Sequence, residues 1–122
     1  MRALVIEDSR SIRRIIRNIM RELGYETIEA CDGIEGLAQL ESHGVPDVVL
    51  VDWNMPNMNG IEFIKAARVI PAYFEMPIVM VTTATEMENI SQAFEAGVNE
   101  YIMKPFDKSI VFEKLQLLGI GV

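Results

Sequence analysis

The sequence predicts an α/β domain, a doubly wound five-stranded parallel sheet with helices on both faces. Three observations carry that expectation. Short runs rich in Val and Ile recur at residues 3–6, 27–30, 48–51, 78–81 and 100–103. Between them the apolar residues fall at helical spacing. The chain has 122 residues, half of them hydrophobic, enough for one sizeable core. Strand–helix alternation repeated five times leaves parallel strands joined by right-handed crossovers.

The first strand, ALVI, is followed by Glu7-Asp8. The first helix is the clearest, with Ile12, Ile15, Ile16, Ile19, Met20 and Leu23 on one stripe, Ser9 as N-cap and Gly24 as the C′ stop. The second and fifth strands are the weakest, because each carries an acidic residue. Further helices are expected over 34–42, 60–69, 86–96 and 107–118, the fourth closed by Gly97 and the fifth capped by Asp107. The third strand, VVLV, is apolar at every position, as a strand covered on both faces requires. The fourth opens after Pro77, where a missing N–H costs least.

Composition narrows the function. Eighteen acidic against eleven basic residues give a net charge of −7, which disfavours direct binding to nucleic acid and suits a site that collects a cation. The single cysteine, Cys31, cannot form an internal disulfide, and the opening apolar run is too short for a secretory signal or a membrane span. These features point to a cytoplasmic protein without membrane insertion. The expected organisation is one domain over 1–122, ending without a linker or an effector domain.

The strand ends carry the chemistry. Strand one runs into Glu7-Asp8, strand three into Asp52, strand four into Thr82-Thr83 and strand five into Lys104-Pro105. In open parallel sheets ligands bind beyond the carboxyl ends of the strands. If these strands are neighbours, three carboxylates, one or two hydroxyls and an ammonium share one rim. Three acids so close need a cation, or one must keep its proton. Mg²⁺ fits an all-oxygen site, with Asp8 and Asp52 as ligands, Glu7 closing the shell and the Asn54 carbonyl supplying another oxygen. An exposed Asp52 beside Mg²⁺, Lys104 and Thr82 makes sense as a phosphoryl acceptor. Read singly, each residue is as well explained as a strand cap or a surface group.

Glu7-Asp8, VVLVDWNMPNMNG, VMVTT and EYIMKPF together resemble the receiver domain of bacterial two-component response regulators, the CheY-like, flavodoxin-like fold. The resemblance spans essentially the whole chain. It implies a (βα)5 sheet in the order 2-1-3-4-5. It further implies that Asp52 is the phosphoacceptor, that Glu7, Asp8, Asp52 and the Asn54 backbone carbonyl hold Mg²⁺, and that Lys104 contacts the phosphoryl group. Thr82 and Tyr101 become switch residues, and the Lys104–Pro105 bond is expected to be cis. The donor would be a sensor histidine kinase or a histidine phosphotransfer protein, and the output a downstream protein target. A monomer is expected, with phosphorylation-dependent dimerisation through the fourth-helix face left open. Such a chain is not an enzyme beyond its own phosphoryl uptake and loss. Glu7 departs from the family's usual Asp, Thr83 stands where a very small residue is usual, and Ala84 brings no acid to position water.

Ile90, Phe94, Tyr101, Phe106 and Lys108 are candidates for the output face, with Phe94 read as core more readily than interface. Arg10, Arg14, Arg17 and Arg21 form a stripe on the first helix, read as a solvated face before a docking surface. His43 falls at the rim opposite Asp52, so a histidine donor must come from another protein. Met55 and Met58 follow Asp52 in a loop and are candidates to shield the site or meet a partner. Two rival functions remain at this stage. A haloacid-dehalogenase-type phosphohydrolase also uses a nucleophilic Asp with Mg²⁺, but its second Asp would fall at Asn54 and its nucleophile follows the first strand. A non-phosphorylated interaction module would not need Glu7, Asp8, Asp52, Thr82 and Lys104 intact.

Overall fold

In a computed structural model, which describes residues 1–120, the elements alternate as expected. β1 (Arg2–Ile6), β2 (Glu26–Ala30), β3 (Val48–Asp52), β4 (Ile78–Thr82) and β5 (Glu100–Met103) form one parallel sheet in the order β2-β1-β3-β4-β5. The crossovers are α1 (Arg10–Glu22), α2 (Gly33–His43), α3 (Gly60–Arg68) and α4 (Ile90–Ala96), and α5 (Lys108–Leu117) follows the last strand.

Alternation along each strand divides the core in two. Leu4, Ile6, Val49, Val51, Ile78 and Met80 pack with Leu40, Phe63, Ile64, Ala67 and Ala93 of α2, α3 and α4. Ala3, Val5, Val48, Leu50, Val79 and Val81 pack with Ile16, Met20, Val111 and Leu115 of α1 and α5. β3 is central and covered on both sides, which is why VVLV has no polar position. The weaker strands β2 and β5 are the sheet's edges, where half-burial tolerates Glu29 and Glu100.

Side-chain caps set the helix starts. Ser9, Asp32 and Asp107 accept backbone N–H groups of α1, α2 and α5, and Asn59 forms a capping box with Glu62 on α3. Gly24 and Gly97 follow α1 and α4 with φ of +95° and +117°. The fourth helix differs from expectation: only Ile90–Ala96 is α-helical, and Glu86–Asn89 is a 3₁₀ turn. Two reciprocal bonds set its start: the Glu86 N–H donates to the Thr83 hydroxyl and the Thr83 N–H to the Glu86 carboxylate. Among the described residues, no helix is long and apolar enough to cross a membrane.

Candidate functional site at the carboxyl rim of the sheet

β1 and β3 are paired in register, Ile6 with Val51, so Glu7 and Asp52 leave the sheet side by side. β4 pairs Val81 with Asp52, which puts Thr82 and Thr83 just beyond. Lys104 follows the end of β5, its N–H bonded to the Thr82 carbonyl at 2.7 Å, and its peptide bond to Pro105 is cis. Three close parallel strands and one loop thus bring Glu7, Asp8, Asp52, Thr82 and Lys104 to one rim.

The Lys104 Nζ lies 3.1 Å from Glu7 Oε1 and 3.1 Å from Asp52 Oδ1. Glu7, Asp8 and Asp52 each offer a carboxylate oxygen within 4.8 Å of the others. The second Glu7 oxygen accepts the Ser9 N–H at 3.3 Å. Asp52 is less open than the sequence reading supposed. It is 6% exposed and Glu7 1%, because neighbouring strands and Lys104 enclose them, while Asp8 lies exposed.

Burial pushes the Glu7 carboxyl up to about 8, helped by its hydrogen bond with and the charge of Asp52 and by Asp8, and opposed by Lys104. For Lys104 burial acts downward, but Asp52 and Glu7 outweigh it and the ammonium is held above its ordinary value. Three carboxylates thus crowd one rim against a single neighbouring ammonium. That all-oxygen donor set fits a hard divalent cation such as Mg²⁺.

The loop after Asp52 is tied to the rim by its own residues. Gly60 donates its N–H to the Trp53 carbonyl at 2.8 Å, and a Cβ at Gly60 would sit 2.3 Å from the Asp52 carbonyl oxygen, so only glycine allows that approach. Asn57 adopts φ of 66° and donates to Asp32 Oδ2 at 2.8 Å. Asp32 also caps α2 through the Glu35 N–H, and these bonds hold its carboxyl below the usual range. Met55 is buried in the core and Met58 packs against it beside Gly33, so these methionines anchor the loop.

Sequence reasoning missed Asp32, Asn57 and Glu86. The Glu86 carboxylate accepts the Thr83 N–H at 2.9 Å and also a hydrogen bond from the Asn54 side-chain amide. An acid thus faces Asn54 although Ala84 is not one. The T-x-x-E spacing of a capping box was the available signal.

The proposed output face is divided. Tyr101 is half-buried with Lys114 Nζ 4.3 Å over its ring, and Ile90 and Tyr101 each pack against the core that holds α3 and α4. Phe94 is 44% exposed rather than core. Phe106 packs with Ile12 on the α1 side, and the exposed Lys108 lies 3.8 Å from Glu22 of α1. The arginine stripe is divided: Arg17 lies 3.8 Å from Glu29 and is half-buried, Arg21 bonds Thr27 while staying exposed, and Arg10 and Arg14 are exposed. Arg13, outside the stripe, bonds Glu29 and the Glu7 carbonyl. His43 lies exposed at the end of α2, at the far rim.

Comparison with known proteins agrees with this geometry. The family model described as response regulator receiver domain matches residues 3–116. Chemotaxis protein CheY1 of Helicobacter pylori is 41% identical, with 97% of this chain and 96% of that protein covered. The chemotaxis protein CheY homolog of Campylobacter jejuni is 43% identical, covering 99% and 95%. Among solved structures, chemotaxis response regulator CheY4 of Vibrio cholerae superposes with a TM-score of 0.88 at 36% identity, covering 96% of this chain and 97% of that one.

Proposed function

The chain belongs to the response regulator receiver domain family, and from that premise we propose that it is a signalling domain, spanning 1–122, that carries a phosphoryl group on Asp52. The observation that supports this best is the joint contact of Lys104 with Glu7 and Asp52 at the rim where Asp8 and Thr82 also lie. Receiver domains of this kind are signalling modules rather than enzymes acting on a separate substrate.

Glu7, Asp8, Asp52 and the Asn54 carbonyl would hold Mg²⁺, which when bound neutralises charge on the phosphoryl oxygens. The remaining chemistry belongs to the chain. An Asp52 carboxylate oxygen attacks phosphorus of a phosphohistidine on a sensor kinase or phosphotransfer protein. The Asp52 O–P bond forms, the P–N bond breaks, and the imidazole leaves with the electron pair. Lys104 lies where it can meet charge on the transferring group. Thr82 offers its hydroxyl to a phosphoryl oxygen, and space vacated by its movement lets Tyr101 turn inward. A change at Tyr101 and Ile90 would then alter binding of a downstream protein. The relatives' names make chemotaxis the favoured output, and the family points to the cytoplasm as its place of action.

The test is incubation with acetyl phosphate and Mg²⁺, read by intact mass. Wild type should gain one phosphoryl group as acetate leaves, and Asp52→Asn should gain none. Labelling that survives Asp52→Asn, or multiple turnover of phosphomonoesters, would overturn the proposal.

A further inference from the structure

We propose that Glu86 is a built-in competitor for the phosphoryl group, its carboxylate holding the hydrogen-bond donors that a group on Asp52 must take over. This rests on Asp52 being the acceptor. Oε1 of Glu86 accepts the Thr83 N–H at 2.9 Å and stands 3.5 Å from the Thr82 hydroxyl, whose nearer acceptor is the Thr83 carbonyl at 3.2 Å. Oε2 takes the Asn54 side-chain amide. These donors come from the ends of β4 and β3, the two strands that pair at Asp52.

A capping role explains only part of this. The Glu86 N–H donates to the Thr83 hydroxyl at 3.2 Å and the Thr83 N–H returns to Glu86, which completes a capping box with one carboxylate oxygen. The second oxygen crosses to the β3–α3 loop, a bond that capping does not require. Glu86 thus places a carboxylate against donors from both strand ends, beside a rim that already gathers Glu7, Asp8 and Asp52. A phosphoryl group brings about −1.5 to −2 more. Like charges repel, so the two anions compete for the same N–H and amide donors, and phosphorylation expels Glu86. Its release frees the 3₁₀ turn Glu86–Asn89, which leads directly into α4. The site would reach the α4 face by this path as well as through Tyr101.

The experiment uses beryllofluoride, a tetrahedral phosphoryl analogue, with Mg²⁺ and the full chain. Binding is followed by Trp53 fluorescence and by the Thr83 amide resonance. Glu86→Ala and Glu86→Gln should both bind the analogue about tenfold more tightly, the equivalent of one charge-assisted hydrogen bond regained. Glu86→Gln retains a capping acceptor, so a gain in that variant reports the charge. In wild type the Glu86 carboxyl resonance should shift as the analogue binds, and this decides the matter if neither variant folds. Equal or weaker binding by folded variants, or a Glu86 resonance unmoved by bound analogue, overturns the competition while leaving the acceptor intact. Failure of wild type to take label from acetyl phosphate at Asp52 removes the acceptor and this inference with it.

Discussion

The ammonium of Lys104 lies 3.1 Å from Oδ1 of Asp52. The same group is shared with Glu7, so a single cation faces two enclosed carboxylates with Asp8 close by. Such a rim is under-compensated, and removing one acid should relieve it. Asp52→Asn is therefore expected to stabilise the metal-free protein by about 1 kcal/mol while abolishing phosphoryl uptake. Urea denaturation at pH 7 without Mg²⁺ measures the gain. Added Mg²⁺ should narrow the gap, because wild type binds the cation better. A variant less stable than wild type without metal would show that Lys104 already balances the rim.

The pH dependence follows from Glu7, whose carboxyl is raised from 4.5 to about 8, chiefly by burial. Between those values the folded protein keeps a proton that the unfolded chain has released. The folded state binds more protons, so metal-free stability falls as pH rises through that window, by at most about 1.4 kcal/mol per pH unit from this group. The Lys104 contribution also falls with rising pH, but in a different window. Its raised pKa leaves it complete below the ordinary lysine value, and it is lost only at more alkaline pH. Mg²⁺ binding should release close to one proton at pH 7 and almost none at pH 9. Calorimetry in buffers of different ionisation enthalpy reads that number directly, and proton release equal at both pH values would contradict it.

Much of this was legible in the sequence because its causes are local. The unbroken VVLV run marks a central strand, the edge strands betray themselves by Glu29 and Glu100, and strand ends converge whenever parallel strands pair. Strand pairing alone therefore assigns Glu7, Asp8, Asp52, Thr82 and Lys104 to one rim. What escaped depends on side chains crossing between loops. Asn57 meets Asp32 and Asn54 meets Glu86 over separations of 25 and 32 residues, which no periodicity encodes. Phe106 and Lys108 follow β5 but turn to α1, a choice made by packing after the chain leaves the sheet.

The Asp32–Asn57 bond supplies a third prediction. Asp32 caps α2 and holds Asn57 at positive φ, so Asp32→Ala loses both interactions at once. The expected cost is about 2 kcal/mol from the cap and the buried hydrogen bond together. It should appear as a lower urea midpoint with unchanged slope. Asn57→Gly keeps the backbone conformation without strain and should cost less than half as much. Both variants loosen the loop after Asp52, so both should slow labelling by acetyl phosphate. A cost for Asp32→Ala no larger than that of Asn57→Gly would mean the cap contributes nothing.

Gly60 and Gly24 separate crowding at the site from strain far from it. At Gly60 an added Cβ would meet the Asp52 carbonyl oxygen at 2.3 Å and the Trp53 Cα at 3.2 Å, all backbone, so the chain itself must move. Gly60→Ala should cost roughly 2–3 kcal/mol by overpacking. It should also slow Asp52 labelling about tenfold or more, because the displaced strand end carries the acceptor. At Gly24 no atom lies within 4 Å of the added Cβ, but φ is +95°. Gly24→Ala therefore meets only backbone strain of about 1–2 kcal/mol. It sits after α1, at the far end of the sheet from Asp52, and should leave the labelling rate unchanged. Measuring stability and labelling for both variants distinguishes the two effects. Equal labelling rates would show that the close approach of Gly60 to Asp52 does not govern the acceptor's position.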